Sequence, residues 1–416
     1  MLTTRLSYVA LAAVILIGIA LRAKHVFDPH VLTPNERIFL YDAQRIHNEG
    51  IGVTRILFAE FRNDPGLWPV AQPVRIGYIL TLAAAMEITG TTTVQAGMAL
   101  NFATAAGTLL LLAWMGIRFF NRWVAVIACA FCTTAFTEIW LVRGTPQDGV
   151  VGLVSLIQIW ITFELLRNPA RWWLYIPFHS AGILGTLMKQ AGPAVYGFTT
   201  IFLLAFLWFR ERDHRRSIIL AACSVGGLAV VALTYVLLAG DPQTAWRVYL
   251  LSYVSNPEGW SYTEDCCFGP YTQIPLALFY LSPLTFCAWV IGMGVLAIPV
   301  NWGSPLTRLQ QRCGWLCAMV AIGFVCLFSL LHGWASVRYL TPGQGAACLV
   351  AAIGVWAVLS FLQERLARTE YAAVVALVII GFIIGGVRDY RVFEKVGMNP
   401  LVPELGPALI RYALGV

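Results

Sequence analysis

Charge is what this chain has least of. Only 12% of its 416 residues are Asp, Glu, Lys or Arg, while 59% are hydrophobic and the mean hydropathy is +0.73. Soluble domains are roughly 45–50% apolar, so a soluble globular class is excluded and an integral membrane protein indicated. The net charge of +7 does not point to nucleic acid, because the Lys and Arg residues sit in short clusters between apolar runs and form no single basic face. Histidine spacing suited to a metal is also missing: His25, His30, His47 and His179 lie far apart in sequence. Nor do the ten cysteines read as a disulfide framework. Most fall inside apolar runs as small hydrophobes, and the Cys129/Cys132 pair lies within an apolar helix, which argues against redox or zinc chemistry. Cys266 and Cys267 are adjacent in a polar segment and bridge each other only with strain. No internal repeat and no long soluble domain interrupt the pattern.

What is there is a series of apolar runs of about 20 residues, the length that crosses a hydrocarbon core of roughly 30 Å. Ser7 to Leu21, preceded by Arg5, lacks a small-x-small cleavage site and reads as an uncleaved first helix. Later runs extend to Tyr371–Val387. The segment Arg210 to Arg216 sets orientation, since short cytoplasmic loops carry the excess of Lys and Arg. Alternation from it places Arg118/Arg122, Arg167/Arg171, Arg308/Arg312 and Arg365/Arg368 on the cytoplasmic side. Arg143 to Asp148, Met188 to Gly192, Gly240 to Gln273, His332 to Tyr339 and the tail 388–416 fall outside. With the amino terminus cytoplasmic and Leu21 to Arg75 outside, Ile76 to Gly90 must be a shallow or half-inserted helix, short and carrying Glu87. The expected fold is an all-α polytopic transmembrane bundle of about 11–13 spans in one domain, in a multi-pass plasma (inner) membrane protein.

An ionisable residue kept beside hydrocarbon is costly and is a functional candidate by default. The expected outer face gathers Glu36, Asp42, Arg75, Arg143, Asp148, Lys189, Glu258, Glu264, Asp265 and Arg338 with Tyr339. Acids and cations beneath Trp- and Tyr-rich loops suit a reaction that needs a base and a clamp for an anionic leaving group.

Pro34-Asn35-Glu36, followed by Tyr41-Asp42-Ala43-Gln44-Arg45-Ile46 and Gly50, resembles the first outer loop of GT-C membrane glycosyltransferases. That group includes protein O-mannosyltransferases, aminoarabinose transferases and polyprenol-dependent mannosyltransferases. The resemblance continues in order through Pro73 to Tyr78, Arg143 to Asp148, Lys189 to Gly192 and Arg338 to Pro342. It implies a GT-C bundle with a helical first outer loop, residues 22–75, and a second large outer loop, residues 240–273. The implied activity is inverting transfer of one sugar from a polyprenyl-phosphate donor to a lipid, glycan or protein acceptor at the outer face. A general base takes the acceptor proton, and cations stabilise the departing lipid phosphate. Position 35 is usually Asp in that pattern and is Asn here, and an amide cannot accept the proton. The base role then passes to Glu36, with Asn35 orienting, Asp148 helping and Asp42 next in line. Arg338 suits the phosphate through its bidentate fork, with Tyr339, Lys189 and Arg75 beside it. No cofactor is expected. A divalent metal is left open by Glu258, Glu264 and Asp265, whose spacing does not require one.

Each residue has a plainer alternative. Glu36 also fits the first turn of a helix, where acids are favoured, and Arg75, Arg143 and Lys189 also fit headgroup anchoring by snorkelling. Two other functions stand beside the enzyme. A transporter or flippase for a lipid-linked sugar would place charge near the midplane on broken helices, and a non-catalytic envelope scaffold would tolerate Asn35.

Overall fold

The computed structural model describes residues 2–26, 34–67, 75–135, 138–139, 141–143, 147–189, 192–254, 282–302, 304–330, 341–392 and 394. Among them are fifteen α-helices and no strand, as the apolar runs of about 20 residues require: in hydrocarbon every backbone N–H and C=O needs an internal partner, and a run of that length finds it as a helix. Eight helices are long and apolar enough to cross a membrane. They are α1 (Leu2–Val26), α5 (Val94–Met115), α7 (Asp148–Arg167), α9 (Gly192–Ala205, prolonged by a π turn to Arg210), α10 (His214–Ala239), α13 (Arg308–Leu330), α14 (Thr341–Gln363) and α15 (Arg368–Val392). Three shorter apolar helices accompany them: α4 (Ile76–Thr89), α6 (Arg122–Thr134) and α12 (Pro283–Ala297). The remaining four are α2 (Pro34–Glu49), α3 (Thr54–Asn63), α8 (Tyr175–Met188) and α11 (Pro242–Val254).

Local chemistry fixes several boundaries. Asn121 caps α6 by accepting from the backbone N–H of Trp123 and Val124, and Asp213 caps α10 through the N–H of Arg216. Gly240 closes α10 in the left-handed region at φ 86°, which glycine adopts without a Cβ penalty. At 1.5 Å rise per residue, the 14 residues of α4 cover about 21 Å, short of a hydrocarbon core. α4 runs alongside α2 for its whole length. Tyr78 meets Phe39 edge to face at 5.7 Å near one end, and Glu87 lies 3.3 Å from His47 at the other.

The first helix continues beyond Leu21 to Val26, because Arg22 does not seek water. Its guanidinium is fully buried, donates to the carbonyls of Gly18, Cys132 and Thr133, and faces Glu138 at 4.0 Å. The polar segment expected from Leu21 therefore starts later than the hydropathy pattern suggests.

Two apolar cores result. The larger joins α1, α5, α6, α7, α8, α9, α12, α13 and α14 with the start of α10. The smaller binds α2, α3 and α4 to the first turns of α7, the end of α8, the end of α10 and α11. Polar ties reinforce the second: Arg62 donates to the Thr244 hydroxyl at 2.8 Å, and the Thr54 hydroxyl to the Leu238 carbonyl at 3.1 Å. The helical segment 34–63 and the start of the segment after Gly240 thus share one end of the bundle. The opposite end is rich in arginine. There Glu164 pairs with Arg118 and, at 3.7 Å, with Arg171, while Arg312 lies 3.9 Å from Glu211.

Candidate functional site

The smaller core draws the conspicuous charges of four segments together. Asp148 opens α7, and Lys189 follows the last residue of α8. The two form an ion pair, each only 1% exposed. The turn carrying Lys189 is held by its N–H on the Gly185 carbonyl at 3.2 Å and by the N–H of Gly192 on its own carbonyl at 2.9 Å. Gly77 of α4 packs against the backbone of Leu187, where an added Cβ would lie 2.9 Å from the carbonyl carbon. Only a glycine lets α4 approach that turn so closely. One residue on, the fully buried phenol of Tyr78 lies in the field of both Glu36 and Asp148. Glu36 is itself 4% exposed, and Arg75, also buried, stacks over Phe39 at 5.4 Å. Gly149 sits 3.2 Å from the amide oxygen of Asn101 and 3.3 Å from the Thr104 hydroxyl of α5, measured from an added Cβ. Thr341, at the start of α14, packs against Gly152 of α7.

Burying an ion pair costs several kcal/mol per ion before attraction repays it, and such a pair is weak evidence of a purely stabilising role. Asp148 keeps one oxygen, Oδ2, that accepts no hydrogen bond among the described residues. A buried charge with an unused acceptor marks a candidate functional site.

Asp42 belongs elsewhere. It is 3% exposed, but the charges acting on it are Arg45 and Glu60 of the α2/α3 face. Arg45 is already engaged by Glu60 at 2.8 Å and Glu49 at 3.4 Å. Burial therefore dominates and pushes the Asp42 carboxyl up to about 7, with Arg45 opposing and Glu60 adding to the rise.

The structure thus brings Glu36, Arg75, Asp148 and Lys189 into one region and leaves Asp42 on a neighbouring face. Asn35 lies in the first turn of α2 beside Glu36. Arg338, Tyr339, Glu258, Glu264 and Asp265 lie outside the described residues, as do Cys266 and Cys267. Among the described residues no group of three or more His, Cys, Asp or Glu is arranged to hold a metal ion. Lys189 is no headgroup anchor, being sealed against Asp148, and Arg75 is stacked on an aromatic ring. Glu36 does occupy the first turn of its helix, so the capping position and the site position coincide. Sequence reasoning assigned no role to Tyr78 or Asn101, although Tyr78 closes the Pro73 to Tyr78 motif. It also missed the Arg22–Glu138 pair, whose signal was a charge beside an apolar run.

No sequence-family model matches the chain, and no curated protein does. Solved structures do. The archaeal oligosaccharyltransferase AglB from Archaeoglobus fulgidus, in complex with an inhibitory peptide and a dolichol-phosphate, superposes with a TM-score of 0.60 at 13% identity over 93% of this chain. The fold is thus similar to that of a GT-C membrane glycosyltransferase. ArnT from Cupriavidus metallidurans superposes in the apo state with a TM-score of 0.50 at 15% identity over 100% of this chain, and bound to undecaprenyl phosphate with 0.51 at 13% over 99%. The chain spans 56% of the length of AglB and 75% of that of ArnT. It is a multi-pass, all-α protein whose fold resembles theirs.

Proposed function

We propose that this GT-C-like protein transfers one sugar, with inversion, from a polyprenyl-phosphate donor to an acceptor at the outer face of the membrane. The observation that carries the reading is the convergence of Glu36, Tyr78, Asp148 and Lys189 from α2, α4, α7 and the α8–α9 turn. The solved structures of like fold, which hold dolichol-phosphate or undecaprenyl phosphate, support the donor class.

In this reading the Glu36 carboxylate accepts the proton of an acceptor hydroxyl as that oxygen attacks the anomeric carbon. The bond from that carbon to the phosphate oxygen breaks, and its electrons leave with the polyprenyl phosphate. The phosphate, a monoanion in the donor, gains a second negative charge as it leaves, so cations stabilise it where a proton donor is not required. Lys189 supplies a point charge, held in place by Asp148; Arg338 supplies a bidentate fork, with Tyr339 and Arg75 beside it. Asn35 orients Glu36 or the acceptor by hydrogen bonding.

The test is incubation of the purified full chain with a panel of radiolabelled polyprenyl-phosphate sugars, followed for retention and for transfer. Transfer from one donor, with Glu36→Gln retaining that donor but turning over on the order of 100- to 10,000-fold more slowly, supports the assignment. Donor retention without transfer in the wild type would make the chain a non-catalytic binder. Movement of an intact lipid-linked sugar across vesicles would make it a flippase.

A further inference from the structure

At the arginine-rich end, far from the Asp148–Lys189 pair, α9 and α10 splay to leave a groove of about 440 Å³. Ile201, Leu204, Trp208, Phe209, Ile218 and Ala221 form its wall, and Ser217 is the one polar side chain that lines it. The volume lies in the range of small-molecule sites. Both helices are long and apolar enough to span a membrane, so a groove open on their flank faces hydrocarbon. Trp208 and Phe209 are exposed at its end, as aromatic residues are at the headgroup level.

The rim is charged in one sense. The end of α9, the connection and the first turn of α10 carry Arg210, Arg212, Arg215 and Arg216, all exposed, and Arg308 and Arg312 of α13 lie beside them, with Arg210 and Arg308 bearing on Arg312 as repelling charges. Against these six arginines stand two carboxylates, Glu211 on Arg312 at 3.9 Å and Asp213 on Arg216 at 3.1 Å. No carboxylate among the described residues pairs with Arg210, Arg212 or Arg215. Arg212 also holds φ at 54°, the one non-glycine residue in the left-handed region among those described. Such backbone strain concentrates where a segment binds something.

We propose that this groove holds an acyl chain of an anionic phospholipid whose phosphate is bound by the arginines of the Arg210 to Arg216 segment. The apolar wall selects a chain, and the uncompensated cations select a negative headgroup over a zwitterionic one, the pattern of basic pockets between membrane helices. The site is independent of sugar transfer.

Native mass spectrometry of the delipidated full chain, with dioleoyl phosphatidylglycerol or phosphatidylcholine added at equal concentration, tests it. The wild type should retain the anionic lipid roughly tenfold or more over the zwitterionic one. Arg210→Gln, Arg212→Gln and Arg215→Gln together should reduce that excess toward one. Ala205→Phe, which fills the groove from an exposed position, should lower retention with the arginines intact. Equal retention of the two lipids by the wild type, a comparison that needs no variant to fold, overturns the proposal. So does anionic-lipid binding that both variants leave unchanged. Full displacement by inorganic phosphate, with Ala205→Phe neutral, would reduce the site to an anion contact that uses no acyl chain and overturn it as well.

Discussion

Breaking the Asp148–Lys189 pair from one side should be far worse than removing both partners. Each side chain is 1% exposed, so the pair lies well outside the regime of exposed ion pairs, which contribute about 0–1 kcal/mol. Lys189→Met leaves a carboxylate and Asp148→Asn leaves an ammonium in a dry site, and removal of one partner of a buried pair costs about 3–5 kcal/mol. The double variant carries neither buried charge. Replacing a buried pair outright is often neutral or stabilising, so it should recover most of the loss and give a coupling of at least about 2 kcal/mol, toward the upper end for residues in contact. Unfolding titrations in mixed micelles would measure all four corners of the cycle. If the two single variants each lose less than about 1 kcal/mol and the double equals their sum, the pair is solvated and the burial argument fails. Function separates from stability in the same series. The double variant should fold yet transfer no sugar, and transfer at the wild-type rate would make the pair purely structural.

Asp42 predicts a pH dependence of stability with an unusual sign. Its carboxyl moves from 3.8 to about 7 on folding, so between those values the native state binds the extra proton and stability falls as pH rises, levelling off above about 7. The span is on the order of 4 kcal/mol, and Asp42→Asn should flatten the profile and raise stability at pH 8; an unchanged slope in that variant would assign the dependence to another group. Arg338→Ala should weaken retention of a polyprenyl-phosphate donor more than Arg338→Lys, since lysine keeps the charge but loses the fork, and equal affinity in all three proteins would remove Arg338 from the phosphate site. Asn35→Asp should leave transfer unchanged or raise it, and a loss of several-fold would show that the amide itself is required. An impermeant thiol reagent should label reduced Cys266 or Cys267 in intact cells, while labelling only after the membrane is opened would reverse the proposed orientation.

Composition and the length of the apolar runs determined that this is a helical membrane protein, because a run of about 20 apolar residues satisfies its own backbone in hydrocarbon as a helix. The ordered polar motifs also carried the GT-C resemblance, and with it Glu36, Arg75, Asp148 and Lys189 as candidates. Hydropathy could not find where α1 ends, since Arg22 is stabilised by carbonyls of Cys132 and Thr133, more than a hundred residues away. Nor could it tell a headgroup anchor from a buried ligand. Lys189 and Arg75 read alike in sequence, yet one is sealed in an ion pair and the other lies over a ring. The separation of Asp42 from Glu36, six residues along the same helix, was likewise decided by packing. Successive residues turn about 100° around an α-helix, and only the neighbours on each side determine which acid meets Tyr78 and which meets Arg45. Sequence carries the inventory of charges because composition is local, whereas desolvation and pairing depend on contacts that the folded chain alone creates.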